Sequence, residues 1–93
     1  MIIYQSRTFE NKVKKFSLQE KKVLDEEIKK IAGNPLIGEE KKGDLRGVYV
    51  YKFKIKFIQY LLSYRIIKAG LELIMIGPHE NYYRALKGHL KRR

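Results

Sequence analysis

The chain contains no cysteine. That excludes a disulfide framework, a thiol nucleophile and a thiolate metal site. Long apolar runs are missing too. The longest apolar stretch, Leu71 to Ile76, is interrupted by Glu72 and falls far short of the roughly 20 residues that a spanning helix needs. The opening MIIYQSR shows no basic leader followed by an apolar core, so a cytoplasmic protein with no membrane attachment is expected. No glycine-rich loop precedes a helix, which argues against a nucleoside-triphosphate site. His79 and His89 lack the i, i+4 spacing of a helical zinc pair. Convergent carboxylates are scarce: eight of the ten acids lie in the first 44 residues, mostly in helical or loop sequence. A metal-dependent nuclease centre needs such carboxylates, so neither a metal nor another cofactor is expected.

What the chain has is positive charge. Its net charge is +11 over 93 residues. Residues 1–44 carry a net +2, whereas residues 45–93 carry eleven Lys/Arg against only Glu72 and Glu80, a net +9. Charge concentrated in this way points to a polyanionic partner, such as nucleic acid, the ribosome, an anionic membrane or an acidic protein.

The length fits one domain, residues 1–93, with one modest core. Ile2-Ile3-Tyr4 reads as a short strand. Thr8 is placed to cap a helix carrying Phe9, Val13 and Phe16 on one stripe. Ser17-Leu18-Gln19-Glu20 is a capping box that opens a second helix with Leu24, Ile28 and Ile31 on its apolar face. Gly33 suits the position just past its end, and Asn34-Pro35 prevents continuation. Residues 35–44 form a polar loop. From Gly47 the period changes to two: Tyr49, Tyr51, Phe53, Ile55 and Phe57 share one face of a strand, and Val50, Lys52, Lys54 and Lys56 share the other. Ile58 to Ile67 is a second, mostly apolar and therefore central strand. Lys68-Ala69-Gly70 is a turn with Gly70 available for a positive φ. Leu71 to Ile76 is a third strand, ended by Gly77-Pro78. Tyr82, Leu86 and Leu90 then recur every four residues, as in a short C-terminal helix weakened by Gly88. The expected fold is α+β: a mostly antiparallel four-stranded sheet with an N-terminal helical hairpin on one face and lysines on the other.

Two constellations can carry chemistry. Lys52, Lys54 and Lys56 alternate onto one face, where they either meet a phosphate or protect an edge from aggregation. Arg46 before this strand and Arg65 late in its neighbour favour phosphate. The second constellation is His79-Glu80-Asn81-Tyr82-Tyr83-Arg84. A histidine is the natural proton carrier near pH 7. An arginine steadies phosphorane charge, and a tyrosine stacks on a base. The same residues also suit an ordinary helix start. Should the chain cut RNA, the neighbouring 2′-hydroxyl would serve as nucleophile, and no metal is needed.

Taken together, Leu45-Arg46-Gly47 opening a strand, Tyr51-Lys52-Phe53-Lys54 within it, and the ending Gly77-Pro78-His79-Glu80-Asn81-Tyr82-Tyr83-Arg84 resemble the RelE/ParE superfamily of toxins from bacterial type II toxin–antitoxin modules. The resemblance covers essentially the whole chain. It implies a cognate antitoxin as partner, and either of two activities. The RelE branch cleaves mRNA on the ribosome; the ParE branch poisons DNA gyrase without a nuclease site. For the RelE branch the resemblance implies catalytic roles for Lys52, Lys54 and His79, an RNA contact for Arg46, and a late aromatic in Tyr82 or Tyr83, with Tyr83 as a catalytic group and Tyr82 stacking on RNA. The residues themselves add Arg84 to the catalytic set and Lys56 and Arg65 to the RNA contacts. One departure stands out. Leu61 occupies the place of an arginine found in RelE-branch strands, and Arg65 lies four residues later on the same face.

Overall fold

A computed structural model describes residues 2–91. Strand β1, Ile2–Gln5, leads into helix α1, Arg7–Val13, and helix α2, Leu18–Gly33. A two-residue strand β2, Glu39–Glu40, lies between 3₁₀ turns at Pro35–Ile37 and Gly43–Leu45. Strands β3 (Tyr49–Ile55), β4 (Ile58–Ile67) and β5 (Gly70–Pro78) follow, and helix α3 spans Tyr82–Lys91. The sheet order is β1-β5-β4-β3-β2. The α+β class and the antiparallel β3-β4-β5 meander agree with the sequence reading, and β4 is central. The expected four strands are five, because Glu39 and Glu40 pair with Val50 and Tyr49 inside what read as loop. The first strand runs parallel to the last, with Ile2 opposite Gly70 and Gln5 opposite Leu73.

Each face of the sheet carries its own core. The helical hairpin buries Phe9, Leu24 and Ile31 against Tyr60, Leu62 and Tyr64. On the opposite face α3 packs Tyr82 and Leu86 onto Val50, Leu61 and Ile74. The lysine-bearing face is therefore shared with α3. A bulge fits both cores to one strand: Ser63 pairs with Met75 and Tyr64 with Leu73, leaving Ile74 as the extra residue of β5. The Ile74 carbonyl, released from the ladder, accepts a 2.5 Å hydrogen bond from Ser6 Oγ.

Several local expectations change. The cap of α1 is Ser6, two residues before the expected Thr8, and its Oγ accepts from the Phe9 N–H at 3.0 Å. The capping box at Ser17 and Glu20 forms in both directions. Gly33 is the last helical residue and Asn34 the C-cap. Gly70 is not a positive-φ turn residue; a Cβ there would strike the backbone carbonyl oxygen of Ile2. Glycine is needed at Gly70 so that β1 can approach β5. Positive φ is instead required at Gly47 (φ 85), which follows Arg46 at φ −56, ψ 135. With Val48 N–H donating to the Leu45 carbonyl at 2.9 Å, Leu45-Arg46-Gly47-Val48 is a type II turn that offers Arg46 at its corner. Lys56 and Phe57 leave strand β3 altogether. They are the two-residue loop of the β3–β4 hairpin, closed by the Ile55–Ile58 pair.

Candidate nucleic-acid interface

Strand alternation and register build the candidate site. Lys52 lies opposite Leu61, and Leu61 opposite Gly77. One step toward the hairpin, Lys54 lies opposite Gln59, whose carbonyl accepts the His79 N–H at 3.1 Å. Lys54, Gln59 and His79 thus form one row across three strands. Neighbouring strands lie about 4.8 Å apart, so His79 sits roughly 10 Å from Lys54 at the backbone, a span that long side chains close around a single phosphate. Lys52, Lys54 and His79 are all exposed, at the end of the face that α3 leaves open.

The route to His79 is local. Pro78 ends β5, and a turn over His79 to Asn81 reverses the chain, with the Tyr82 N–H donating to the His79 carbonyl at 3.2 Å. Asn81 takes φ 59, a left-handed conformation that asparagine tolerates better than most residues. The helix begins at Tyr82, the first residue of the expected Tyr82-Leu86-Leu90 stripe.

Tyr82 is a correction to the expected set of RNA contacts. It is buried, with its ring against Gly77. Its hydroxyl lies 2.8 Å from both Ser63 Oγ and the Met75 carbonyl oxygen. Burial pushes the phenol pKa well up, opposed only in part by the Ser63 contact. No face of this ring is left for a base. Tyr83 is half-buried, edge-on to Tyr82, and Lys41 Nζ stands 5.1 Å above its ring centre. Arg84 follows Tyr82 by two residues, about 200° around the helix, so it points away from the sheet; it is exposed.

The remaining expected contacts do not converge on Lys52 and Lys54. Arg46 is exposed at the opposite end of β3, and Arg65 lies beyond the α3-covered stretch of β4, 3.5 Å from Glu72. Lys56 belongs to the hairpin loop, outside the strand row. Leu61, in the position of the RelE-branch arginine, is fully buried under α3.

The structure adds groups that sequence reasoning passed over. Glu39 lies opposite Val50, next along the face from Lys52, and accepts from Lys41 Nζ at 2.7 Å. The hydrogen bond and charge of Lys41 hold the Glu39 carboxyl below its usual pKa, with a smaller contribution from Lys52. The block Glu39-Glu40-Lys41-Lys42 is conspicuous in sequence, but two acids followed by two lysines do not reveal which side chain faces the lysine row. Among the described residues no three His, Asp or Glu side chains gather as a metal site, and no helix is long and apolar enough to cross a membrane.

Comparison with known proteins agrees with this architecture. In E. coli the toxin-bearing RelBE toxin–antitoxin complex contains a chain that superposes with TM-score 0.67 at 18% identity, covering 85% of this chain and 96% of that one. The isolated E. coli RelE toxin superposes with TM-score 0.64 at 20% identity, covering 94% and 96%. At these identities the likeness is one of fold. No curated protein sequence matches the chain. A family model, described as the ParE-like toxin of type II bacterial toxin–antitoxin systems, matches residues 3–87. With nearly its whole length accounted for in this way, the chain belongs to the ParE-like toxins of bacterial type II toxin–antitoxin systems, within the RelE/ParE superfamily.

Proposed function

We propose that residues 1–93 act as one toxin domain that inhibits translation by cleaving mRNA on the ribosome in the cytoplasm, without a metal. The observation that carries this reading is the placement of Lys52, Lys54 and His79 together at the open end of the sheet, exposed and in adjacent register rows. The lysines hold the scissile phosphate and offset the charge that grows on it. His79 takes the proton from the 2′-hydroxyl as the oxygen attacks phosphorus. The resulting imidazolium delivers a proton to the departing 5′-oxygen, leaving a 2′,3′-cyclic phosphate and a 5′-hydroxyl end. Tyr83, on the first turn of α3, flanks this position from the helix side; Arg84, expected beside it, points away from the sheet and does not. The fold shared with a chain of the E. coli RelBE toxin–antitoxin complex supports a cognate antitoxin as partner, an acidic segment that covers the basic face or displaces α3.

Cleavage of ribosome-bound mRNA, measured with folded His79→Ala, tests the proposal. A proton-transfer group contributes about 10²–10⁴-fold, so the variant should cleave slower by that factor and lose toxicity. Undiminished cleavage by a folded His79→Ala protein would remove His79 from the site.

A second reading, inhibition of DNA gyrase without nuclease chemistry, is favoured by the ParE-like family match and by the buried Leu61. Pulse expression separates the two: early arrest of protein synthesis with cut mRNA supports the first, and arrested DNA synthesis with gyrase–DNA adducts supports the second.

A further inference from the structure

Phe57 stands at the tip of the β3–β4 hairpin and is 98% exposed. Its neighbour Lys56 has φ 56, at the first of the two loop positions, where such hairpins ordinarily place glycine. An aromatic ring offered wholly to solvent and a non-glycine residue held left-handed are both unfavourable for stability, and they occur side by side. Strained positions of this kind gather at functional sites. The flanking sequence carries charge of a single sign: residues 45–71 contain no Asp or Glu, and Lys54 and Lys56 lead into the ring from β3. Ile58, 51% exposed, pairs with Ile55 on the opposite, hairpin-packed face, so Phe57 is the apolar group offered beside the row of Lys54 and His79.

We infer that Phe57 stacks on a nucleobase of the RNA strand whose phosphate Lys52 and Lys54 hold. This rests on the phosphate-binding reading of the lysine row and adds a contact to it. A flat π-surface framed by cations is how proteins grip single-stranded nucleic acid, because every base has a face to stack and every linkage a charge to neutralise. The geometry suits a strand that crosses the lysine row and leaves past the hairpin. Lys54 is three residues from Phe57, so adjacent nucleotides reach both. A single ring and a half-exposed isoleucine are a small anchor for a membrane, whereas a stack on one base needs nothing more.

The chain has no tryptophan, so Phe57→Trp installs a single fluorescent reporter in the full-length protein. Its emission should be quenched by a short single-stranded RNA and not by a strand of the same length carrying abasic riboses. Phe57→Ala should bind the RNA about tenfold more weakly, within the range one base–aromatic stack supplies. Its salt dependence and its melting temperature should match those of the parent, since the side chain touches little. Equal affinity of parent and Phe57→Ala overturns the inference. So does a Phe57→Trp emission that responds to anionic lipid vesicles and not to RNA. Lys52→Ala with Lys54→Ala keeps the two readings distinguishable. If that variant loses RNA while Phe57→Ala does not, only the stack falls; if it binds like the parent, the lysine-row reading falls and the stack with it.

Discussion

The Tyr82 hydroxyl is shut between Ser63 and the Met75 carbonyl, and burial favours its neutral form. Tyr51, bonded to Glu27 at 2.6 Å, has its pKa pushed up to about 12, with burial the main cause. A folded-state pKa above the unfolded value means stability that is complete below the unfolded pKa, about 10 for tyrosine. It is lost as pH rises from there through the folded values. Urea midpoints should therefore hold steady up to about pH 10 and decline above it. Tyr82→Phe should show a shallower decline, and should lower stability near neutrality by only about 1 kcal/mol, because Ser63 keeps its bond to Met75. An unchanged alkaline decline in Tyr82→Phe would assign the loss to the other tyrosines. The burial of Tyr82 was legible in its spacing with Leu86 and Leu90. A site reading drawn from residue type alone made it a base-stacking partner, and the packing periodicity was the better guide.

At the scale of single elements, the hairpin loop and the β1–β5 contact carry opposite predictions. Lys56→Gly removes a left-handed strain of roughly 1–2 kcal/mol, partly offset by the backbone freedom glycine brings to the unfolded chain. A net gain of about 0.5–1 kcal/mol is expected in urea unfolding. Gly70→Ala does the reverse. Its methyl meets the Ile2 backbone, so β1 must lift from β5. Loss of about 2 kcal/mol or more is expected, at the upper end of single-site effects. Amide exchange at Ile3 to Gln5 should rise in Gly70→Ala while the β3–β4 amides stay protected. The contrast shows where sequence reading works. The two hairpins of the β3-β4-β5 meander, the Ser17 capping box and the α3 stripe are local patterns, each legible from neighbouring residues. Strand β2 is two acidic residues on an edge with no apolar alternation to announce it. The parallel pairing of β1 depends on a strand some 68 positions away. In the candidate site, the Lys52–Lys54 alternation was visible, whereas the row joining Lys54 to His79 exists only once β4 stands between them.

For the molecule as a whole, the second half carries nearly all the net charge, yet its cations do not act together. Four phosphate contacts, from Arg46, Lys52, Lys54 and Arg65, predict a log–log salt slope of about −3 for single-stranded RNA. With Arg46 at the far end of β3, Arg65 beside Glu72 and Lys56 in the hairpin loop, the converging cations are Lys52 and Lys54, and the expected slope is about −1.4. Titration of RNA binding across a range of salt measures it, and a slope near zero would move binding off this face.

The placement of β1 also bears on the order in which the chain is made. Its first strand has no partner until residues 70–73 exist, and α3, which covers part of the lysine-bearing face, is later still. A ribosome producing this protein therefore extrudes the helical hairpin and β3 well before the sheet can close around them. Contacts of such long sequence separation are formed slowly. During that interval the row of Lys54, Gln59 and His79 does not exist, because its third member lies just past the end of β5. A chain synthesised only as far as β4 therefore lacks this row, and the activity proposed for this face can arise only after β5 and the turn that follows it have emerged.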